Sequence, residues 1–282
     1  MKKVLLTGGT GFVGSNILKE LSKSYQIYNL VRSKNIKKIK NVHNFYFSDL
    51  NRLKKKLDQK KFFAIIHCAT HYKKNHNFDD INKMIEANLL LGNIILENKN
   101  INYCKKFINL TTVWENHDGI KNNPANLYAA YKSAFSTIIN FYKKKLKNVK
   151  FYNLYLSETF GENDKRLKLF KTIKEDYKNK KTTIFLSKKI IINLVNVNDI
   201  VNAIGILLKK NLKSSDYSIL NKKKTDIIKL ISNFNKTASR KIKFKLNSNK
   251  ISNYKILKFK NVPGWKPKNS SIKNMIDYIV GK

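Results

Sequence analysis

Short apolar runs alternate with longer amphipathic stretches along the first half of this chain. The apolar runs end in polar or glycine turns and predict strands at residues 4–6, 27–31, 44–47, 63–67 and 107–110. The stretches between and after them have helical spacing and predict helices at 15–24, 50–57, 81–97 and 126–146. Because nearly continuous apolar strands that alternate with helices form parallel sheets covered on both faces, the pattern predicts a doubly wound α/β fold.

The rhythm changes after a further predicted strand near residues 149–156. Later strands are predicted near 183–186, 193–197, 217–220 and 241–246, and later helices near 167–177, 198–209, 226–235 and 271–280. We therefore expect a large domain over residues 1–158, to which 193–221 return, and a smaller C-terminal lobe over 159–192 and 222–282. At 282 residues the chain is long enough for this arrangement.

A glycine loop follows the first predicted strand. It fits the spacing G-x-x-G-x-x-G, and its candidate cofactor contacts are Gly8, Thr10, Gly11, Phe12, Val13 and Gly14. Glycines at such positions let the backbone turn tightly and approach a pyrophosphate, whose charge then lies at the N-terminus of the following helix. A glycine triplet alone is often only a turn. Its place between a strand and a helix predicts a Rossmann dinucleotide site in the large domain, and the small lobe is then expected to bind the substrate.

The ends of the next strands indicate which dinucleotide is bound. Arg32 and Ser33 stand where an acidic residue would bind the adenosine ribose of NAD. A guanidinium pairs bidentately with a phosphate, so Arg32 favours NADPH over NAD, unless it is only a surface arginine of a basic chain. Further candidate cofactor contacts follow the third and fourth predicted strands, at Asp49, Leu50, Cys68, Ala69 and Thr70.

Tyr128 and Lys132 lie four residues apart in the helix predicted over 126–146, so they face the same side of it. A phenol with a pKa of about 10 is a poor base at neutral pH, and a nearby ammonium favours its ionised form. Thr111 and Thr112 close the fifth predicted strand and place a hydroxyl upstream of the pair. A chance Tyr/Lys pair is easy to find in a chain rich in both residues. Beside a dinucleotide site, however, the combination indicates redox chemistry on a carbonyl or an alcohol.

The net charge of +40 raises the question of a nucleic-acid or membrane partner. The lysines are spread along the whole chain, and only four arginines are present. Compositional drift explains this better than a nucleic-acid surface, which concentrates charge and uses arginine for bidentate contacts. We therefore expect no nucleic-acid partner. Because no apolar run reaches ~18 residues, we also expect no membrane partner.

The two cysteines and five histidines limit the other chemistry that is open to the chain. Cys68 and Cys104 lie in apolar, strand-like contexts and do not suggest a disulfide framework, which fits a reduced, cytoplasmic setting. The histidines lack the spacing of metal ligands, so no metal site is predicted.

These motifs resemble the extended short-chain dehydrogenases/reductases of the NAD-dependent epimerase/dehydratase family, over nearly the whole chain. The segments that match are 7–14, 107–112, 126–132, 193–199 and 263–267. Within the family, segments 107–114, 123–128 and 157–166 are similar to those of CDP-abequose and CDP-paratose synthases. Those enzymes reduce the 4-keto group of a CDP-linked 3,6-dideoxyhexose with NADPH, which agrees with the separate argument from Arg32.

The resemblance implies roles for the matching residues. Tyr128 would be the general acid toward the C4 oxygen, and Lys132 would hold the nicotinamide ribose and lower the pKa of Tyr128. Thr112, or Thr111 if the register slips by one, would hydrogen-bond the keto oxygen. Asn88 would contact the cofactor near the site. Contacts with a nucleotide-diphosphate sugar are implied at His71, Trp114, Glu158, Arg166 and Lys168. The family also implies a homodimer through the helices predicted over 81–97 and 126–146.

Departures from the family narrow the reaction. Its 4,6-dehydratases carry an Asp-Glu pair directly after the active hydroxyl, where this chain has Val113 and Trp114, with Glu115 one position late. Its epimerases that invert C3 and C5 use a cysteine and a histidine near the hydroxyl and the lysine, and neither Cys68 nor Cys104 is so placed. The glycine that usually follows the family's Val-Tyr pair is also missing. Elimination and double epimerisation are therefore disfavoured.

The leading hypothesis is an NADPH-dependent ketoreductase of a nucleotide-linked 4-keto-6-deoxy or 3,6-dideoxy sugar, in the biosynthesis of surface polysaccharide. An NAD-dependent nucleotide-sugar 4-epimerase needs the same tyrosine, lysine and hydroxyl, and stays an alternative that Arg32 mildly disfavours. A non-catalytic regulator that senses the cofactor is a further alternative. The intact set of Thr112, Tyr128 and Lys132 weighs against it.

Overall fold

The computed structural model describes residues 1–73, 75–166 and 168–281. Its strands are, in chain order, β1 (Lys3–Thr7), β2 (Gln26–Val31), β3 (Val42–Tyr46), β4 (Ala64–His67), β5 (Lys106–Thr112), β6 (Lys150–Leu156), β7 (Glu158–Phe160), β8 (Thr183–Phe185), β9 (Lys189–Ile192), β10 (Leu194–Asn196), β11 (Ser215–Ile219), β12 (Thr225–Asp226), β13 (Phe244–Leu246) and β14 (Ile251–Ser252). Its α-helices are α1 (Phe12–Leu21), α2 (Leu50–Leu57), α3 (Phe78–Ile85), α4 (Leu91–Leu96), α5 (Leu127–Lys145), α6 (Leu169–Lys178), α7 (Val197–Lys209), α8 (Ile227–Thr237) and α9 (Ile272–Val280). A π-helical turn (Glu86–Leu90) joins α3 to α4, and short 3-10 turns cover Ile101–Tyr103 and Val113–Asn116.

Seven of the described strands form one sheet in the order β11-β6-β5-β4-β1-β2-β3. All neighbouring strands in it are parallel. The chain runs outward from β1 through β2 and β3 and then crosses to the other side of β1, so the order reverses there. In doubly wound sheets, ligands bind outside the carboxyl ends of the strands at such a reversal. The predicted Rossmann α/β fold is confirmed, and its expected binding crevice lies after β1 and β4.

Two apolar layers cover the sheet, one on each face. α1 and α7 contribute Ile17 and Ile204 to one layer, and α5 contributes Phe135 to the other. The central strand β5 is buried at every position, as expected for a strand covered on both sides. Burying one large apolar side chain contributes roughly 1.5–3 kcal/mol, so the two layers hold the strand ends, and the residues that follow them, in fixed positions.

The predicted elements of the main sheet are present, with shifts of a few residues at their ends. α1 begins at Phe12 rather than at residue 15, because Gly11 is extended (φ −83°, ψ 174°) and forms its N-cap. The helix predicted over 81–97 begins at Phe78 and is interrupted by the π-helical turn. In the helix predicted near 167–177, residue 167 lies outside the described residues, and α6 is described from Leu169.

A third apolar cluster holds α6, α8 and α9 together with short strands. Phe160, Phe185, Ile227 and Met275 are among its buried members. Within the described residues, three small sheets accompany it, in the orders β10-β7, β12-β9-β14 and β13-β8. α7 and β11, by contrast, join the first apolar layer and the edge of the main sheet. The division into a large domain and a small lobe at the residues given above stays a prediction.

Neither a membrane-spanning helix nor a metal-binding cluster is found among the described residues. In this part of the chain, no helix has both the length and the apolar character needed to cross a membrane. The same residues contain no group of three or more His, Cys, Asp or Glu side chains placed to hold a metal ion.

Candidate active site

Two adjoining cavities open in the crevice beyond the carboxyl ends of β1 and β4. The first has a volume of about 540 Å³ and extends from the glycine loop to the end of β2. The second, of about 180 Å³, is lined by the ends of β5 and β6 and the start of α5. Val13, Cys68, Thr70 and Arg166 line both cavities. The two cavities therefore form one continuous crevice.

The glycine loop forms one wall of the first cavity. Gly8 has a φ of +72°, and a Cβ there would lie 2.8 Å from the backbone nitrogen of Ala69. A Cβ on Gly14 would lie 2.1 Å from the carbonyl oxygen of Gly8, so both positions require glycine. Gly11 caps α1 without a side-chain hydrogen bond, and the first turn contains no acidic residue. The backbone N–H groups at the helix start are therefore open to an anion, which fits a dinucleotide pyrophosphate.

Most of the predicted cofactor contacts meet in this first cavity. Those that line it are Gly8, Thr10, Gly11, Phe12, Val13, Gly14, Arg32, Ser33, Cys68, Ala69 and Thr70. Asp49 and Leu50 lie at the start of α2 and do not occur among the described residues that line this cavity, so their cofactor contacts stay predictions. The Asp49 carboxylate accepts the backbone N–H of Arg52 at 2.8 Å as the N-cap of that helix. Phe47, buried just after β3, lines the cavity in their place.

Arg32 has an acidic neighbour that the sequence did not reveal. Its Nη1 lies 3.7 Å from Oε1 of Glu86, and both side chains are largely exposed. Glu86 opens the π-helical turn and lines the same cavity. An exposed pair of this kind contributes about 0–1 kcal/mol, so the guanidinium can exchange Glu86 for another anion at little cost.

Thr7 fixes the backbone that follows β4. Its Oγ1 accepts the N–H groups of Cys68 at 3.1 Å and Ala69 at 3.0 Å. Its own proton is then available to Nδ1 of His67, 3.0 Å away. Burial lowers the pKa of His67 to about 3, with the charge of Lys132 adding to the effect, so the ring is neutral. His67 is a core residue that helps to hold Cys68 and Ala69 against the crevice.

Tyr128 lies in the first turn of α5 and lines the second cavity. Asn126 begins this helix by accepting a first-turn backbone N–H at 2.9 Å, which places Tyr128 at the helix start and Lys132 one turn later. The phenol is hydrogen-bonded to the side chain of Thr70, whose hydroxyl donates to Oδ1 of Asn88 at 2.5 Å. Burial raises the pKa of Tyr128, so the phenol is protonated at neutral pH.

Asn88 acts behind the crevice rather than in its wall. This buried residue of the π-helical turn accepts hydrogen bonds from the Thr70 hydroxyl and from the N–H of His71 at 3.2 Å. Its Nδ2 donates to the carbonyl oxygen of His71 at 3.1 Å. Among the described residues that line the two cavities, Asn88 does not occur. Asn88 therefore positions Thr70, at a π-helical turn of the kind that often marks functional sites. Its direct contact with the cofactor stays a prediction.

Thr111 and Thr112 both line the second cavity, but their hydroxyls have different partners. The Oγ1 of Thr112 accepts the N–H of Trp114 at 3.2 Å, which leaves its proton for another acceptor. The Oγ1 of Thr111 donates to the carboxylate of Glu115. Of the two candidates, Thr112 is thus the one whose hydroxyl can donate to a ligand.

Lys132 and the acid Glu115, which the sequence showed one position late for a dehydratase, are both buried and act on each other electrostatically. Lys132 is 1% exposed and Glu115 is 3% exposed. Burial lowers the pKa of Lys132, and the charge of Glu115 raises it. The predicted Tyr128–Lys132 pair is therefore a set of three side chains. The sequence contained one indication of this third side chain. Glu115 follows Val113 and Trp114, where the resemblance leads one to expect a glycine.

Four of the predicted substrate contacts line the second cavity: Trp114, Glu158, Arg166 and Lys168. The Nζ of Lys168 lies 4.6 Å from the centre of the Trp114 ring, a cation–π distance. Arg166 is held rigidly, because its Nε and Nη2 donate to the two carboxylate oxygens of Asp164 at 2.7 Å each. Its guanidinium also lies 4.3 Å over the ring of Phe12 in the glycine loop.

Tyr72, rather than His71, faces the second cavity. The Nε2 of His71 lies 3.1 Å from Oδ1 of Asp80, so this ring is directed toward α3. Tyr72 lines the cavity and contacts Tyr128 edge-on, with 5.0 Å between ring centroids. The substrate contact at His71 stays a prediction. Successive loop residues point in different directions, and no periodicity in the sequence indicates which one faces inward.

Known proteins are similar to this chain in sequence and in fold. The model of the NAD dependent epimerase/dehydratase family matches residues 4–221. A CDP-abequose synthase of Yersinia pseudotuberculosis is 31% identical over 211 residues, covering 72% of this chain and 71% of that protein. A CDP-abequose synthase of Salmonella muenchen is 28% identical over 227 residues, covering 77% and 74%. A solved UDP-glucose 4-epimerase of Thermus thermophilus, in complex with NAD, shares the fold with a TM-score of 0.78 and 18% identity over 99% of each chain. The chain is an enzyme that belongs to the NAD-dependent epimerase/dehydratase family.

Proposed function

We propose that this enzyme uses NADPH to reduce the 4-keto group of a nucleotide-linked 4-keto-6-deoxy or 3,6-dideoxy sugar. The observation that carries the proposal is the meeting of Thr112, Tyr128 and Lys132 in a crevice whose other end contains the glycine loop and Arg32. Ketone reduction consumes a proton, whereas alcohol oxidation requires a base. A phenol that retains its proton at neutral pH suits the first of these reactions.

Each polar side chain of the second cavity has a part in this reaction. A bound nicotinamide cofactor would supply the hydride. Tyr128 would donate its proton to the C4 oxygen, and the hydroxyl of Thr112 would hydrogen-bond the same oxygen. The ammonium of Lys132 would stabilise the phenolate that is left on Tyr128. Thr70 and Asn88 would hold the phenol in place while the sugar binds.

The walls of the second cavity support a deoxy sugar as substrate. Tyr72, Trp114 and Leu156 provide apolar surface suited to ring carbons that lack hydroxyls. Arg166 and Lys168 provide the positive charge that a diphosphate requires. Two matched relatives are CDP-abequose synthases, and from them we take the class of substrate, a nucleotide-diphosphate sugar. The product would serve the biosynthesis of lipopolysaccharide or capsule.

Arg32→Ala should weaken NADPH binding by roughly 10- to 100-fold, because a hydrogen-bonded charge pair with the 2′-phosphate contributes about 1.5–3 kcal/mol. NADH lacks that phosphate, and its binding should hardly change. Fluorescence titration of both cofactors measures the difference. Arg52→Ala is the matched control, since Arg52 is an exposed arginine that pairs with Asp49 at the start of α2. Equal losses for the two cofactors, or a wild-type preference for NADH, would contradict the assignment.

An NAD-dependent 4-epimerase is the second candidate, and Glu86 is the observation in its favour. The Glu86 carboxylate lines the first cavity beside Arg32 and could accept hydrogen bonds from a ribose hydroxyl. Glu86→Gln distinguishes the two functions. NADPH affinity should rise if Arg32 binds the 2′-phosphate and Glu86 only competes for it. NADH affinity should fall if Glu86 binds the ribose.

We also propose a homodimer through the helical region 81–97 and α5. The large apolar side chains Ile85, Leu90 and Phe141 are exposed on this part of the molecule. Apolar residues exposed on neighbouring helices often mark a protein contact. Light scattering of the wild type should give the mass of a dimer, and Leu90→Lys should shift it toward the 32.9 kDa monomer.

One experiment tests the reaction directly. The enzyme is incubated with NADPH and a panel of 4-keto sugars linked to CDP, dTDP, UDP or GDP, and the products are identified by NMR. We expect one class of substrate to consume NADPH and to yield the C4 alcohol in equal amounts. No reduction of any keto sugar, together with interconversion of a C4 alcohol pair in the presence of NAD, would replace the proposal with the epimerase.

A further inference from the structure

A carboxylate lies beside the Lys132 side chain, inside the protein. Glu115 belongs to the 3-10 turn after β5 and is fully enclosed. Ser136 donates its hydroxyl to Oε1 of Glu115 at 3.3 Å. Lys132 and Ser136 are four residues apart on α5, both are buried, and such residues share one face of a helix. Glu115 therefore lies against the helix face that carries Lys132.

Three hydroxyl groups hydrogen-bond to Glu115. Thr111 from β5 and Ser136 from α5 donate to its Oε1. Tyr155 from β6 is also hydrogen-bonded to the carboxylate. Hydroxyls that donate to a carboxylate favour its ionised form. Burial raises the pKa of Glu115, whereas Lys132 and the hydrogen bonds from Ser136 and Tyr155 lower it.

Burial dominates and holds the pKa of Glu115 above its usual value, while the charge of Lys132 favours the ionised carboxylate. The relation is mutual, because burial favours the neutral amine of Lys132 and Glu115 acts against that effect. Two other titratable groups near Lys132 and Glu115 add no charge of their own. Burial raises the pKa of Cys68 to about 12 and lowers that of His67 to about 3, so both are uncharged near neutral pH. Asp216 from β11 also acts on Glu115 and disfavours its ionised form.

We propose that Glu115 is a positioning residue that helps to keep the side chain of Lys132, one turn after Tyr128 on α5, in its charged ammonium form. The inference deepens the proposed function and rests on it for the role of Lys132 toward the nicotinamide ribose and the phenol.

Glu115→Gln tests the proposal, because it keeps the shape and the hydrogen-bond acceptor and removes only the charge. The dissociation constants of NADPH and NADH are measured by fluorescence across a pH series. Wild-type affinity should fall as Lys132 loses its proton. In Glu115→Gln the midpoint of that fall should move to lower pH by about one unit or more, as expected when a neighbouring opposite charge is lost.

Neither the choice of cofactor nor the sugar enters this measurement. Both cofactors contain the nicotinamide ribose, and no substrate is added. A wrong assignment of NADPH or of the reduced sugar would therefore appear in the experiments under the proposed function, and would leave this result unaffected.

Glu97→Gln is a matched control at the far end of α5. The Glu97 carboxylate is also hydrogen-bonded by a tyrosine, Tyr142, and its Oε1 lies 3.6 Å from Nζ of Lys145. This variant should keep the wild-type midpoint, since it removes the same group far from Lys132.

Ser136→Ala provides a second test if Glu115→Gln does not fold. It removes one hydroxyl donor and keeps the charge, so the midpoint should move in the same direction by a smaller amount. Folding is checked by circular dichroism. A midpoint that stays at the wild-type pH in the folded variants overturns the proposal. So does an equal loss of affinity at every pH, which would show that Glu115 only supports the fold, or a wild-type affinity that does not depend on pH.

Discussion

Replacing Tyr128 with phenylalanine should lower the rate of ketone reduction by roughly 10²-fold or more, while cofactor binding is preserved. The variant keeps the edge-on ring contact with Tyr72 and loses only the hydroxyl that hydrogen-bonds Thr70. Without the phenol, the proton must come from water, which is a weaker acid and is not held at the C4 oxygen. Turnover of the sugar nucleotide identified in the panel measures the first effect, and NADPH titration measures the second.

Tyr131→Phe is the control for this change. Tyr131 lies on the same helix, three residues later, and does not occur among the described residues that line the two cavities. Its hydroxyl should be dispensable, so turnover should stay close to that of the wild type. If Tyr128→Phe reduced the ketone as fast as Tyr131→Phe, the proton donor would have to be another group, and Thr112 would be the first to examine.

Local rules were sufficient to predict the glycine loop, Arg32 and the pairing of Tyr128 with Lys132. Each depends on spacing within one turn or on the residue that ends one strand. Their meeting in one crevice also follows from topology, because parallel strands all end at the same edge of the sheet. For these features, the alternation of apolar and polar residues contained the necessary information.

Long-range geometry decided the remaining parts of the site. Glu115 follows an apolar strand, and only the 3-10 turn after β5 directs it inward, to Thr111 and Ser136. The carboxylate of Asp49 could have faced the cofactor, but the backbone of Arg52 is a nearer partner, and local hydrogen bonds of this kind compete with others.

The π-helical turn is the second feature that helical spacing could not predict. It changes the phase of the helix expected over 81–97 by one residue. As a result, Glu86 faces the first cavity, while Asn88 is buried behind Thr70. Sequence periodicity assumes 3.6 residues per turn throughout, so it cannot locate such a turn or the side chains that it redirects.

Gly14→Ala should abolish cofactor binding and lower the free energy of unfolding by about 1–3 kcal/mol, the usual cost of an added methyl group in a packed region. The new Cβ would lie 2.1 Å from the carbonyl oxygen of Gly8 and 2.8 Å from the Cα of Gly9. These are backbone atoms, so no side-chain rotation can relieve the clash. Gly8 cannot retreat either, since it already packs closely on the backbone of Ala69 at a positive φ. The loop must therefore deform at the wall assigned to the pyrophosphate.

Gly205→Ala separates this clash from the general effect of a new methyl group in a helix. Gly205 lies within α7, and a Cβ there would meet nothing within 4 Å. Alanine should therefore stabilise the protein by about 0.5–1 kcal/mol through helix propensity and leave cofactor binding unchanged. Chemical denaturation should show that Gly14→Ala is less stable than the wild type and Gly205→Ala more stable. NADPH titration should show a loss of binding only in Gly14→Ala, if the glycine loop is tightly packed and forms the wall that contacts the cofactor. If Gly14→Ala bound NADPH as the wild type does, the pyrophosphate would have to lie elsewhere in the crevice. Arg166, which lines both cavities, would then be the first residue to test.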